Sequence, residues 1–451
     1  MRGHLTRLTT LAGPVYAELL SGVIASVIGT FWVAGLGGAA VAAVTLAGAV
    51  ENLLLGLVLV AGSGTSLRLS RALGAGDHAD AARTTRAAWR LCGLGTLALA
   101  VPGFLLRERL AGAFLDGPAA GLAADYLAVA FPAFGLFFGQ RIADELFKGA
   151  GDTRTPMRIA LLSNALLLAL DPLLVLGAGP LPGLGATGAA LALTASRAVA
   201  FAVTLRLRRR TPGPAEGGVG PAMRRIIRAG APFGLDFTAR MAVGTAQLAL
   251  VAGFGVAAVA GYGVGYRVLL VVTMAFYALR QAAAIEGARL AGAGESDALR
   301  SLGRATGRLA AFLGAGAAVL CAATAAPVSA LFTDDAAVAG QSAGFLRMAA
   351  LYLLPYALVV ALGGVHQAAG AGRPLMVSVA VGLGSQLAAA AALSGPLGVT
   401  GVWAGLTVGA VVQLALLLAL TRRPTAPVEP CHSGGPGNDA ERTACPAPAR
   451  G

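Results

Sequence analysis

Two stretches of this 451-residue chain match each other across a constant interval. Arg71, Gly74, Ala75, Gly76, Arg86 and Arg90 recur as Arg289, Gly292, Ala293, Gly294, Arg304 and Arg308, each 218 positions later. Pro14 and Pro232, Phe114 and Phe332, and Asp116 and Asp334 keep the same spacing, while Glu18 and Asp77 are answered by Asp236 and Glu295. Such a chain must fold as two similar halves. Doubled apolar chains of this kind work by rocking their halves around a site between them.

The solvent follows from composition. Hydrophobic residues make up 57% of the chain and charged residues 12%, against about 25% charged in soluble domains, so a water-soluble fold is excluded. Apolar runs of about 20 residues cross a bilayer core, and twelve are legible: 12–34, 46–67, 88–106, 124–146, 158–176, 186–205, 229–251, 262–284, 309–327, 340–364, 375–393 and 400–420. The expected fold class is an all-α integral membrane protein, with twelve transmembrane helices in two pseudo-symmetric six-helix lobes. The expected organisation is a cytoplasmic lead over 1–11, a first lobe over 12–207, a linker over 208–227, a second lobe over 228–421 and a Pro/Gly-rich disordered tail over 422–451.

The net charge of +13 sits in alternate loops. Arg68, Arg71, Arg83, Arg86 and Arg90 lie on one side with Arg206, Arg224, Arg225, Arg228, Arg289 and Arg300, whereas loops 35–45, 177–185, 252–261, 328–339 and 394–399 carry no Lys or Arg. That asymmetry is the positive-inside pattern. It predicts a multi-pass plasma-membrane protein with both termini cytoplasmic, and it accounts for the basic charge without nucleic acid. The first apolar run lacks a small-residue cleavage site and reads as a retained span. Cys92 and Cys321 fall in apolar runs, and Cys431, Cys445 and His432 lack metal-ligand spacing, so no metal site is expected. The four His, at 4, 78, 366 and 432, form no catalytic constellation. Neither an enzyme nor a cofactor is implied.

The loop motifs carry a resemblance. SRALGAGD (70–77) follows the second span and GAGDTRTPM (149–157) the fourth, while LDPLLVLG (170–177) precedes GLGATGAALA (183–192). No strand or closing Lys makes these glycines a phosphate cradle, so an ATP-driven pump is not indicated. In order and spacing the motifs resemble the multidrug and toxic compound extrusion (MATE) family over residues 10–421. The resemblance implies export of small organic molecules, cationic or amphipathic, by antiport with protons or sodium, in a bilayer-embedded chain able to act as a monomer. A flippase for lipid-linked saccharides, from the same superfamily, is the alternative.

Charge inside a membrane is costly, so each such residue is a functional candidate. The candidates are Glu18, Glu51, Asp171, Arg197, Asp236 and Arg240, with Arg280 and Glu286 beside them. Arg141, Asp144 and Glu145 rank lower because they crowd a helix end, where they can pair or reach water. At about 1.5 Å rise per residue, Glu51 and Asp171 are both expected about 8 Å below the arginine-poor surface. Two carboxylates sharing a desolvated pocket hold one proton between them near neutral pH, which suits both to cation coupling. Arg197 is equally able to neutralise either one, and Asp236 and Arg240 stand i, i+4, the spacing of a self-contained ion pair. Tyr277, Gln281, Tyr356 and Gln386 are candidates for a substrate cavity, the tyrosines through cation–π contact.

Two positions depart from the family pattern. Gly29 stands where the first helix commonly carries Asp, and Leu167 where Asn commonly precedes the Asp of the fifth helix. The expectation is that Glu51 supplies the missing carboxylate, and that protons are favoured over sodium, which would want several hard oxygen ligands.

Overall fold

The computed structural model describes residues 2–178, 181–207 and 218–421. The expected tail, and residues 208–217 of the linker expected over 208–227, lie outside the described residues. The described chain is helical apart from tight turns and one two-residue hairpin. Its helices are α1 (Arg2–Ala34), α2 (Gly38–Gly74), α3 (His78–Phe114), α4 (Gly117–Gly149), α5 (Arg154–Val175), α6 (Gly185–Leu207), α7 (Val219–Ala252), α8 (Val256–Gly292), α9 (Ser296–Phe332), α10 (Ala336–Ala368), α11 (Gly372–Leu397) and α12 (Val399–Thr421). Strands β1 (Gly177–Ala178) and β2 (Leu181–Pro182) pair antiparallel between α5 and α6.

Eleven of these helices are long and apolar enough to cross a membrane. The remaining one, α7, spans 34 residues and carries Asp236 and Arg240 in its middle. The interval survives in the boundaries: α2 and α8 start and stop 218 residues apart, α3 and α9 do likewise, and α4 and α10 differ by 219. Helices run past the apolar windows because a helix continues into the headgroup region while its backbone bonds are satisfied internally. Thus α3 covers 78–114 where the apolar window covers 88–106.

The repeated Gly-Ala-Gly turns have a local cause. Gly76 and Gly294 adopt φ of +70° and +75° just past the ends of α2 and α8, the left-handed conformation in which a helix terminates with least strain at glycine. Gly74 and Gly292 answer to tertiary structure. A Cβ on Gly74 would lie 2.0 Å from the Arg289 carbonyl oxygen, and one on Gly292 would lie 2.0 Å from that of Arg71. The contact is reciprocal, so a pseudo-twofold axis passes between the ends of α2 and α8.

Each lobe's leading helix also reaches across. Leu8 and Leu11 of α1 pack with Leu279, Ala282 and Ala283 of α8 and with Leu302 and Ala305 of α9. Val219, Ala222 and Ile226 of α7 pack with Val58, Ala61, Ala87 and Ala88 of the first lobe. Residues expected as lead and as the end of the linker are therefore helical and buried against the opposite lobe. Arg7 and Arg225, repeat mates, pin these crossings: Arg7 Nε lies 3.5 Å from Glu286, and an Arg225 guanidinium nitrogen lies 3.4 Å from Asp80.

Candidate functional site

In the first lobe, Asp171 lies four residues from the end of α5 and is 2% exposed. Among the described residues its carboxylate has no hydrogen-bond or ion-pair partner. Opposite stands Gly29 of α1, where a Cβ would lie 3.6 Å from Asp171 Oδ2. The glycine at the departed position thus leaves space in front of the carboxylate. Leu167 packs with Ala25 and Ala192. Asn164 donates to Ser21 at 2.8 Å and the Thr30 hydroxyl to the Ser26 carbonyl, so neither is spent on Asp171.

Glu51 is placed differently from the expectation of equal depth. Because α2 begins at Gly38, Glu51 is thirteen residues, or about 20 Å, from that end, whereas Asp171 is about 6 Å from the end of its helix. A helix that starts eight residues before its apolar window carries Glu51 toward mid-membrane. There Glu51 meets Arg197 of α6 at 3.3 Å, and the guanidinium lies 4.6 Å above the Phe137 ring. Leu54, Leu127, Phe131 and Phe134 wall the small cleft around this pair. Tyr126, buried, is within electrostatic reach of Glu51, Arg197 and Asp171.

A second cluster forms nearer the arginine-rich end. Lys148, the chain's one lysine, is 2% exposed and donates to Glu18 Oε1 at 2.9 Å and to Glu145 at 3.4 Å. Arg141 stands 3.6 Å from Glu18. Gln140 donates to Asp144 at 2.7 Å, and Thr204 donates to Gln140. Gln281, from the other lobe, donates to Glu145 at 2.8 Å. The helix-end residues ranked low in the sequence therefore form a buried network bridging the lobes. The legible signal was Glu18 itself: an acid on an apolar helix requires a partner, and this chain has one lysine.

In the second lobe Asp236, the repeat mate of Glu18, is also held by two cations, Arg240 and Arg280, each at 2.9 Å. Arg280 also donates to Gln367, stacks 4.3 Å over Phe233, and is 4% exposed. Arg240 donates to Gln413 and lies 5.0 Å over the Tyr356 ring. The Tyr277 and Tyr356 hydroxyls share a 2.8 Å hydrogen bond. Gln386 donates to Gln247, itself bonded to the Val402 carbonyl. Of the four expected cavity residues, then, Tyr277 and Tyr356 sit beside Arg240, Gln281 reaches the other lobe, and Gln386 ties helices together.

The repeat exchanges donors between the lobes. At the α2–α4 crossing Gly62 faces Glu145, a Cβ on Gly62 lying 3.1 Å from that side chain. Their mates are Arg280 and Gly364, and a Cβ on Gly364 would lie 3.1 Å from Arg280 Cγ. Large and small swap sides while the volume is kept. Lys148 likewise maps onto Gln367. The first-lobe cluster has three acids and two cations, the second-lobe cluster one acid and two cations, so the lobes end with opposite polarity.

Comparison with known proteins agrees with this architecture. The MatE family model matches residues 14–173 and again 232–391, the two matches separated by the chain's own interval of 218. A protein of Deinococcus radiodurans described as a probable multidrug resistance protein NorM is 30% identical over 425 residues, spanning 90% of this chain and 92% of that one. An FAD transporter of Shewanella oneidensis is 28% identical over 206 residues, 43% of this chain and 46% of that one. The crystal structure of a MATE protein in complex with MaL6 superposes with a TM-score of 0.87 at 20% identity, covering 93% of this chain and 96% of that one. With both halves matched and a full-length relative at this identity, the chain belongs to the MatE family: it is a multi-pass membrane transporter of the MATE type, not an enzyme.

Proposed function

We propose that this transporter exports small organic molecules in exchange for protons, with Asp171 as the group that takes and releases the proton. The observation that carries this reading is a buried carboxylate with no partner among the described residues, facing a glycine. A carboxylate without a counter-charge in a low-dielectric site holds a proton far more readily than one in an ion pair. Glu51, joined to Arg197, is such an ion-paired acid. It shapes the field around the small cleft that it lines and couples only when that pair opens. Sodium is disfavoured because Leu167 is apolar and Asn164 stands two helical turns, about 10 Å, from Asp171 along α5, leaving few hard oxygens beside the carboxylate for a cation shell.

The positive-inside rule supports taking the arginine-rich end, where α1 starts and α2 and α8 stop, as the cytoplasmic end, and with an even number of spans both termini on that side of a plasma-membrane protein. The lobes suffice for alternating access in a monomer. The flippase alternative asks for unpaired arginines in the cavity. Of the five arginines that could line it, Arg197, Arg240 and Arg280 are ion-paired, and Arg267 and Arg347 are without an ion pair among the described residues; the majority being paired favours the exporter.

The test uses protein reconstituted in liposomes under an imposed proton or sodium gradient, with Asp171→Asn and Glu51→Gln measured separately. Proton-driven transport should fall at least tenfold in Asp171→Asn and less in Glu51→Gln. Undiminished proton-driven transport in Asp171→Asn, or transport driven by sodium alone, refutes the assignment.

A further inference from the structure

We infer that Asp144 carries a second exchangeable proton, which it gives up to the cytoplasmic side when the lobes part at that end. With the arginine-rich end cytoplasmic, as proposed above, this site stands apart from Asp171, toward the other face of the membrane.

Charge balance singles out Asp144. Glu18, Asp144 and Glu145 share two cations, Lys148 and Arg141, and all three acids are buried. Both cations are committed elsewhere: Lys148 lies between Glu18 and Glu145, and Arg141 stands against Glu18. Asp144 has no ion pair among the described residues, and its hydrogen bond comes from the neutral Gln140 amide at 2.7 Å. Glu18, a like charge, is within electrostatic reach of it. The cluster is also short of donors, since one buried oxygen each of Glu18 and Glu145 has no hydrogen-bond partner. A buried carboxylate with no counter-charge takes up a proton rather than hold the charge. A metal cation does not meet the same need, because the Lys148 ammonium already sits between two of the carboxylates.

The surroundings of Asp144 add no further counter-charge. Gln140, Arg141 and Lys148 of α4 stand around it with Glu18 of α1 and, through Gln140, Thr204 of α6. Elsewhere α4 meets α3 at Phe138 and Ile142, α2 at Gly62, and α8 at Gln281. Arg154 and Arg158 of α5 form no ion pair with it among the described residues. The repeat shows that the fold stands without this acid. On α10, which matches α4 at an interval of 219, the mates of Gln140 and Asp144 are Val359 and Gly363. The second lobe's own acid, Asp236, is held by two arginines, which do not give up protons.

Position ties the proton to movement. Asp144 lies five residues, about 8 Å, from the end of α4. Its neighbour Glu145 accepts from Gln281 of the other lobe, and the same end is closed by Arg7 against Glu286 and Arg225 against Asp80. Parting the lobes there breaks the Gln281 bond and admits water to the cluster, and a solvated carboxylate releases its proton.

The test is an infrared pH titration of the protein in nanodiscs, reading the C=O stretch of protonated carboxyls, beside proton-driven transport in liposomes. In the wild type the band should grow as pH falls. Asp144→Asn should remove one component of it, Asp171→Asn a different one, and the two losses should add. Gln140→Leu, which leaves the acid in place, should shift the Asp144 component. Asp144→Asn should also cut transport at least tenfold and flatten its pH profile, and Asp144→Glu should restore the profile. A band unchanged by Asp144→Asn overturns the proposal, whatever Asp171→Asn does. Loss of the component with the transport profile unmoved overturns it too, since the proton is then a fixed structural one. Loss in Asp144→Asn with none in Asp171→Asn supports this site and counts against Asp171.

Discussion

Replacing Lys148 by Met isolates what holds the first-lobe cluster together. The side chain is close in volume, so packing is nearly unchanged and the charge is what is lost. Lys148 sits 2.9 Å from Glu18 and 3.4 Å from Glu145. At an effective dielectric of about 20, the closer contact is worth roughly 6 kcal/mol of attraction, part of it offset by desolvation. In its absence Glu18, Asp144 and Glu145 retain one cation, Arg141, which is 37% exposed at the side chain and 3.6 Å from Glu18. One oxygen each of Glu18 and Glu145 already lacks a hydrogen-bond partner. Removing one member of a buried pair costs about 3–5 kcal/mol, so Lys148→Met should melt well below wild type in detergent, followed by fluorescence. The double variant Lys148→Met/Glu18→Gln should recover most of that loss, since the stranded charge leaves with its partner. If Lys148→Met melts with wild type, or the double variant melts lower still, the cluster is not held by this charge and the reasoning fails.

The interlobe axis and the space beside Asp171 give two more tests. Gly74→Ala and Gly292→Ala each push a methyl into a carbonyl 2.0 Å away, overpacking that costs about 1–3 kcal/mol. Each should widen the distance between spin labels placed on α2 and α8 near that end, and an unchanged distance would refute the axis. Gly29→Leu fills the space in front of Asp171 and should cut proton-driven transport at least tenfold with little change in melting. Gly29→Ala, whose Cβ stands at an ordinary 3.6 Å, should be tolerated.

Much of the scaffold was legible because a bilayer imposes few solutions. Twelve apolar runs can only become helices, and the interval of 218 that relates Arg71 to Arg289 reappears in the helix boundaries. The site was less legible. Asp171 stood out as an acid in an apolar run, but its isolation depends on Gly29, 142 positions earlier in the chain. Glu51 was read at the wrong depth because hydropathy marks where a helix is apolar, not where it begins. Arg141, Asp144 and Glu145 rank low in the sequence because they crowd the end of α4, where they can pair or reach water, while only packing shows that α1 and α8 close over that end.

The sequence alone determined a doubled membrane bundle, the helix ends at Gly76 and Gly294, and a short set of charges too costly to be accidental, since backbone satisfaction and transfer energies are properties of local composition. Tertiary structure decided which charge faces which. Glu18 and Asp236 are repeat mates, yet Lys148 on α4 answers one and Arg280 on α8 answers the other. Pair energies depend on separations of a few ångströms, and those distances are set by helix crossings at glycines, which a linear interval does not encode.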